Sequence, residues 1–168
     1  PEDFEIICQI APIDLIHDYY YIIGLRDIRG ENVDALNIVF RGIYNWIPED
    51  NWLSIYLFDN TPVQGLSMIG DGSITSNPDW EGSYNATCLG TWSYLAEAKD
   101  VVFSTTDENL LSYMQNGNRF GIGIDPDCHF YGTSIDIEVA TSPVPEPTTL
   151  LLLGSGLLGL AGFRRKQG

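Results

Sequence analysis

Leu36, Ile38 and Phe40 alternate with Asn37, Val39 and Arg41, and Leu53, Ile55 and Leu57 alternate with Ser54, Tyr56 and Phe58. Thr133, Ile135, Ile137 and Val139 alternate in the same way with Ser134, Asp136 and Glu138. A period of two sends successive side chains to opposite faces, so each run predicts a half-buried strand. Residues 4–9, 19–25, 86–94, 101–105 and 119–124 are further strand candidates. Turn-forming clusters separate them, notably Pro48-Glu49-Asp50-Asn51 and residues 69–79. The strand ending at Trp46 and the one opening at Trp52 predict a hairpin. One helix interrupts the strands at about residues 106–116. Thr105-x-x-Glu108 has capping-box spacing, Leu110, Leu111 and Met114 form an apolar stripe, and Asn116-Gly117 can end it. Leu110 and Met114 read as core. Short strands in this number, with one helix, predict an all-β fold: a two-sheet antiparallel sandwich, jelly-roll-like, over residues 1–142.

The pattern changes at residue 143. Residues 143–149 are Pro-Val-Pro-Glu-Pro-Thr-Thr, a linker that can continue neither strand nor helix. Leu150 to Phe163 is a run of 14 residues without a charge, and residues 164–168 open with Arg164, Arg165 and Lys166. As a helix the run spans about 21 Å, short of the roughly 30 Å hydrocarbon core. Flanking threonines and snorkelling arginines bring it to a marginal span. The basic cluster favours the cytoplasmic side, which places everything before Leu150 across the membrane.

Val144-Pro145-Glu146-Pro147, then the leucine- and glycine-rich run, then Arg164-Arg165-Lys166 resembles the PEP-CTERM sorting signal of Gram-negative bacteria. The resemblance implies export through the Sec route, with a leader ahead of Pro1. It also implies recognition by an exosortase and cleavage near the Pro-Glu-Pro motif. The expected destination is the cell surface or extracellular matrix after transient anchoring in the inner membrane, and the expected setting is exopolysaccharide production. The body resembles a recurrent module of such proteins, through Ile43-Tyr44-Asn45-Trp46, residues 52–60 and residues 120–131. That module brings no established activity with it.

Charge narrows the partners. Residues 1–143 hold 22 acids against five bases, a formal charge of −17, and the whole chain carries −15. Such a field repels phosphate backbones, so nucleic acid is excluded as a partner. Membrane contact is expected only through the tail, before cleavage.

Three cysteines leave one thiol over, and an oxidising compartment favours a disulfide. Cys88–Cys128 is the expected pair, since Cys128 lies in a tight turn, with Cys8 a buried small hydrophobe. Asp125-Pro126-Asp127 offers two carboxylates around a turn, and Asp59 and Asp71 lie in comparable loops; these four are the candidate calcium ligands. Zinc is disfavoured by two histidines at no ligand spacing. Asp136 and Glu138 share a strand face and read as its solvated side. No nucleophile-elbow, zinc-protease or phosphate-loop motif is present, so the protein is expected to be non-catalytic. Flat rings beside carboxylates and amides stack on sugar faces, which makes Trp46, Trp52, Trp80 and Tyr84 the glycan-binding candidates. Trp92 reads as core. The expectation is an exported matrix protein that binds exopolysaccharide. One alternative is a structural subunit that self-associates, with the apolar segment 4–13 pairing with a neighbour's open sheet edge. A second alternative is a glycan hydrolase.

Overall fold

The computed structural model describes residues 3–28, 31–45, 52–70, 85–93 and 97–143. These form nine strands: β1 (Glu5–Leu15), β2 (Tyr19–Leu25), β3 (Glu31–Ile43), β4 (Trp52–Phe58), β5 (Gly65–Gly70), β6 (Ala86–Ser93), β7 (Lys99–Thr105), β8 (Phe120–Pro126) and β9 (Phe130–Pro143). A four-stranded sheet has the order β1-β9-β3-β7 and a five-stranded sheet the order β5-β2-β8-β4-β6. Every pairing is antiparallel. The protein is an all-β sandwich, as the alternation predicts, and its chain crosses from sheet to sheet at most connections.

Alternation decides what lies between the sheets. Leu36, Ile38 and Phe40 on β3 meet Ile135, Ile137 and Val139 on β9 from one side. Leu53, Ile55 and Leu57 on β4 meet Ile122 and Ile124 on β8 from the other. All of these are buried in one cluster, worth about 1.5–3 kcal/mol per large side chain removed from water. Tyr21 is also fully buried, and its hydroxyl is satisfied: it accepts from Ile16 N–H at 2.9 Å and donates to the Asp14 carbonyl at 3.1 Å. A smaller cluster of Tyr20, Ile22 and Phe58, with Val63 against it, lies on the outer face of the five-stranded sheet.

Three expectations are corrected. β3 and β4 belong to different sheets, so the chain between them crosses the sandwich and is no hairpin. β5 was not predicted; Gly65-Leu66-Ser67-Met68-Ile69-Gly70 has no polar alternation to reveal it, and it is held at an edge by β2 alone. The segment 4–13 is not spare: it lies largely in β1, paired with β9 of its own chain.

The helix is shorter than predicted. α1 covers Glu108–Leu111 and continues as a 3₁₀ turn through Ser112–Met114. Asp107 caps it, its carboxylate accepting from Asn109 N–H at 2.9 Å, while Thr105 ends β7 and accepts from Asp107 N–H. An aspartate two residues inside the expected box thus takes the capping role. Leu111 and Met114 are buried and Leu110 packs against the core.

Candidate functional site

Two glycines give the four-stranded sheet its distinctive outer surface. Gly42 on β3 has φ +63° and Gly132 on β9 has φ +57°, a region open to glycine at little cost. Arg41 pairs with Ser134 before these kinks and Tyr44 bridges Tyr131 after them, so both strands turn over together. Without the kinks, strict alternation would point Tyr44 and Tyr131 into the core. With them, Ile43, Phe130 and Thr133 fill the interior, each fully buried, and the two tyrosines emerge on the side of Arg41. Each kink frees an N–H, and a neighbouring strand supplies its acceptor. Asp14 of β1 accepts from Gly132 N–H at 2.8 Å, and Asp100 of β7 accepts from Gly42 N–H at 2.9 Å.

The result is a ladder of rings. Tyr44 stacks on Tyr131 with centroids 5.3 Å apart, and Tyr131 stacks on His129 at 4.1 Å, the planes inclined by 27° and 17°. His129 Nε2 lies 3.4 Å from the Asp14 carboxylate. Tyr44 and Tyr131 are partly exposed. Asn45, next along, turns inward and is buried, and neither atom of its amide has a hydrogen-bond partner.

Beyond the ladder on the same face stands Arg41. Its Nε donates to Asp136 at 3.0 Å, Nη1 to Asp100 at 3.1 Å and Nη2 to Glu138 at 3.1 Å. Gln9 donates to the second oxygen of Asp136 at 2.8 Å, and Ser104 donates to Asn37 at 2.7 Å. The Gly42 N–H and the Arg41 guanidinium hold the Asp100 carboxyl below the usual range. The Gln9 amide and Arg41 do the same for Asp136, against the opposing effect of its burial. Asp136 and Glu138 do face outward as expected, but Arg41 covers them and Asp136 is only 4% exposed.

The predicted site residues fare unevenly. Trp52 is 48% exposed, at the same end of the sandwich but on the other sheet. Trp46, Trp80 and Tyr84 lie outside the described residues. Trp92 packs against the core with its ring edge-on to Phe40 at 5.7 Å. Asp127 N–H donates to the Trp52 carbonyl at 3.0 Å, and burial pushes its carboxyl up while nearby His17 opposes this. Asp59 is at the opposite end, accepting from Asn85 and Asn116. Because Phe58 pairs with Gly121 and Ser54 with Asp125, four residues of strand, about 13 Å, separate Asp59 from Asp125. Asp59 therefore does not converge with Asp125 and Asp127; Asp71 lies outside the described residues, and among those described no group of three or more His, Cys, Asp or Glu is placed to hold a metal.

The disulfide is also corrected. Cys8, Cys88 and Cys128 are all free. Cys88 pairs with Tyr56, whereas Cys128 follows the Asp127–Trp52 contact, four β4 residues or about 13 Å away. A disulfide needs Cα atoms within about 7 Å. Cys8 faces inward opposite Ile137, and burial raises its thiol pKa.

Sequence reasoning passed over Tyr44, Tyr131, His129, Asp14 and Arg41 as site residues. Gly42 and Gly132, each interrupting an alternating run, were the available signal. One cavity, of about 420 Å³, opens at the other end of the sandwich between β3 and α1, where Asp34 and Glu108 are among its lining residues.

Among the described residues no helix is long and apolar enough to cross a membrane, and residues 150–163 lie outside them. No curated protein matches the chain. The family model of the PEP-CTERM protein-sorting motif matches residues 143–166, taking in Val144-Pro145-Glu146-Pro147 and Arg164-Arg165-Lys166. The chain thus carries the PEP-CTERM sorting motif and is an exported protein, anchored transiently in the membrane and processed by an exosortase.

Proposed function

We propose that this exported protein resides at the cell surface or in the extracellular matrix and binds exopolysaccharide without cleaving it, through the ring ladder of the four-stranded sheet. The observation that carries this reading is the outward stack of Tyr44, Tyr131 and His129 flanked by the Asp14 carboxylate. Sugar C–H groups can pack on the edges that the stack turns outward and on the ring face of Tyr44 away from Tyr131, and sugar hydroxyls donate to carboxylates. Asp14 and Tyr131 stand on strands and Tyr44 is bridged to Tyr131, so these groups are held in place before binding. Exposed Trp52 adds a further ring at the same end of the molecule, on the other sheet.

Co-sedimentation of the protein with exopolysaccharide from the producing organism tests it, with reducing-end release followed in the same tubes. Saturable binding that falls at least tenfold in Tyr131→Ala, with no ends released, is the expected result. Binding unaffected by that substitution would place the contact elsewhere. Release of ends would favour the hydrolase reading and direct attention to Asp34 and Glu108. The self-association reading draws on β5, an edge strand whose Met68 and Ile69 are 53% and 40% exposed. A sedimentation coefficient that rises with concentration would favour it.

A further inference from the structure

We infer that Arg41 is a specificity-determining residue, and that the outer face of the four-stranded sheet accepts neutral sugar chains while refusing uronate, sulfated or phosphorylated ones. The inference rests on the glycan reading above and deepens it.

Arg41 lies three residues from Tyr44 along β3, about 10 Å, or two sugar units of an extended chain. A polysaccharide stacked on the ladder and running along β3 therefore reaches it. Recognition of a uronate carboxylate usually needs a guanidinium with two parallel N–H groups to spare. Here three of the five N–H groups of Arg41 are taken, each by a different carboxylate, those of Asp136, Asp100 and Glu138, so the two that remain belong to a charge already outnumbered by its own partners. The cluster is one cation among three anions, in a body that is already strongly acidic. Lys99 offers no relief: it shares the side of β7 that buries Val101, opposite to Asp100. What the face presents is carboxylate oxygen. Asp100 is 52% exposed in its side chain, and its remaining lone pairs suit the hydroxyl donors of a neutral sugar. An anionic polymer meets like charge, and among the described residues beside Arg41 no lysine or second arginine stands ready to offset it.

Binding of the full chain to two probes of equal length tests this, a neutral β-glucan hexasaccharide and a hexamer of guluronate, each titrated at low and at physiological salt. The wild-type protein is expected to bind the glucan with little salt dependence and the guluronate at least tenfold more weakly. Asp100→Ala combined with Glu138→Ala strips two partners from Arg41, and this variant should gain guluronate binding at least tenfold, with the gain lost in high salt. Should it not fold by circular dichroism, Asp100→Asn with Glu138→Gln removes the same two charges at constant shape. Wild-type binding of guluronate as tightly as glucan would overturn the inference and leave the glycan reading intact. A double variant that folds and gains nothing would remove the role of Arg41. Binding of neither probe by the wild-type chain would reject the glycan reading and this inference with it.

Discussion

Arg41 organises the polar face of the four-stranded sheet, and its removal should be felt chiefly through Asp136. That carboxylate is 4% exposed and would keep only the Gln9 amide. Arg41→Met is expected to cost about 2 kcal/mol, below the 3–5 typical of a broken buried pair because the guanidinium is 43% exposed. A shift in urea midpoint checks it. The pH dependence has a definite sign. Asp100 and Asp136 are held below their ordinary values in the folded state. The stability they contribute is therefore fully present above the unfolded carboxylate value, near 3.9, and is lost as pH falls through the lower folded values. Urea midpoints should thus decline below about pH 4 in the wild type, and Arg41→Met should flatten that decline. Asn45 gives the opposite expectation. Its amide is buried with neither atom hydrogen-bonded, so Asn45→Leu should stabilise by about 1 kcal/mol, a gain that a raised midpoint would register.

Glycines separate two kinds of strain between strands. A Cβ at Gly24 of β2 would overlap the Val63 carbonyl, where residues 59–64 fold over the outer face of the sheet. A Cβ at Gly132 of β9 would meet nothing within 4 Å but would sit at φ +57°. Gly24→Ala should cost about 2–3 kcal/mol through displaced backbone, and Gly132→Ala about 1 kcal/mol through conformation alone. Gly70→Ala, with open space and no positive φ, serves as the control in thermal melts. These elements also show where sequence reading succeeds. The runs 36–41, 53–58 and 133–139 bury one face against a common interior, so a period of two sufficed to place each within β3, β4 and β9. β5 has no such face, and its existence follows from Tyr19–Leu25 needing a second neighbour. The β3–β4 crossing was illegible because a short connection between sheets resembles a hairpin in sequence. The ring ladder was harder still: Tyr44 and Tyr131 are 87 positions apart, and both point outward only because two glycines shift the alternation by one residue.

The register of the whole sandwich keeps its thiols apart. Cys8 lies on the four-stranded sheet, Cys88 on an edge of the other, and Cys128 in the turn between β8 and β9. Alkylation of the unfolded protein without reductant should therefore label three cysteines per chain by mass spectrometry. Two unlabelled residues in a monomer would reveal a strand arrangement other than this one. Residue types alone suggested the opposite, because an exported chain with three cysteines invites pairing and sequence carries no distance.

β9 runs 14 residues from Phe130 to Pro143, some 45 Å when extended and nearer 40 Å with twist. The sorting segment follows from its last residue, and the stacked rings cluster at its first. The strand therefore acts as a spar between the sorting end and the ring-bearing end. Residue 143, where the sorting motif begins, and the stacked rings thus lie at opposite ends of one strand. If the proposed glycan binding holds, polymer would be gripped about 40 Å from the residue at which exosortase recognition begins, so loading and cleavage need not compete for the same end of the protein.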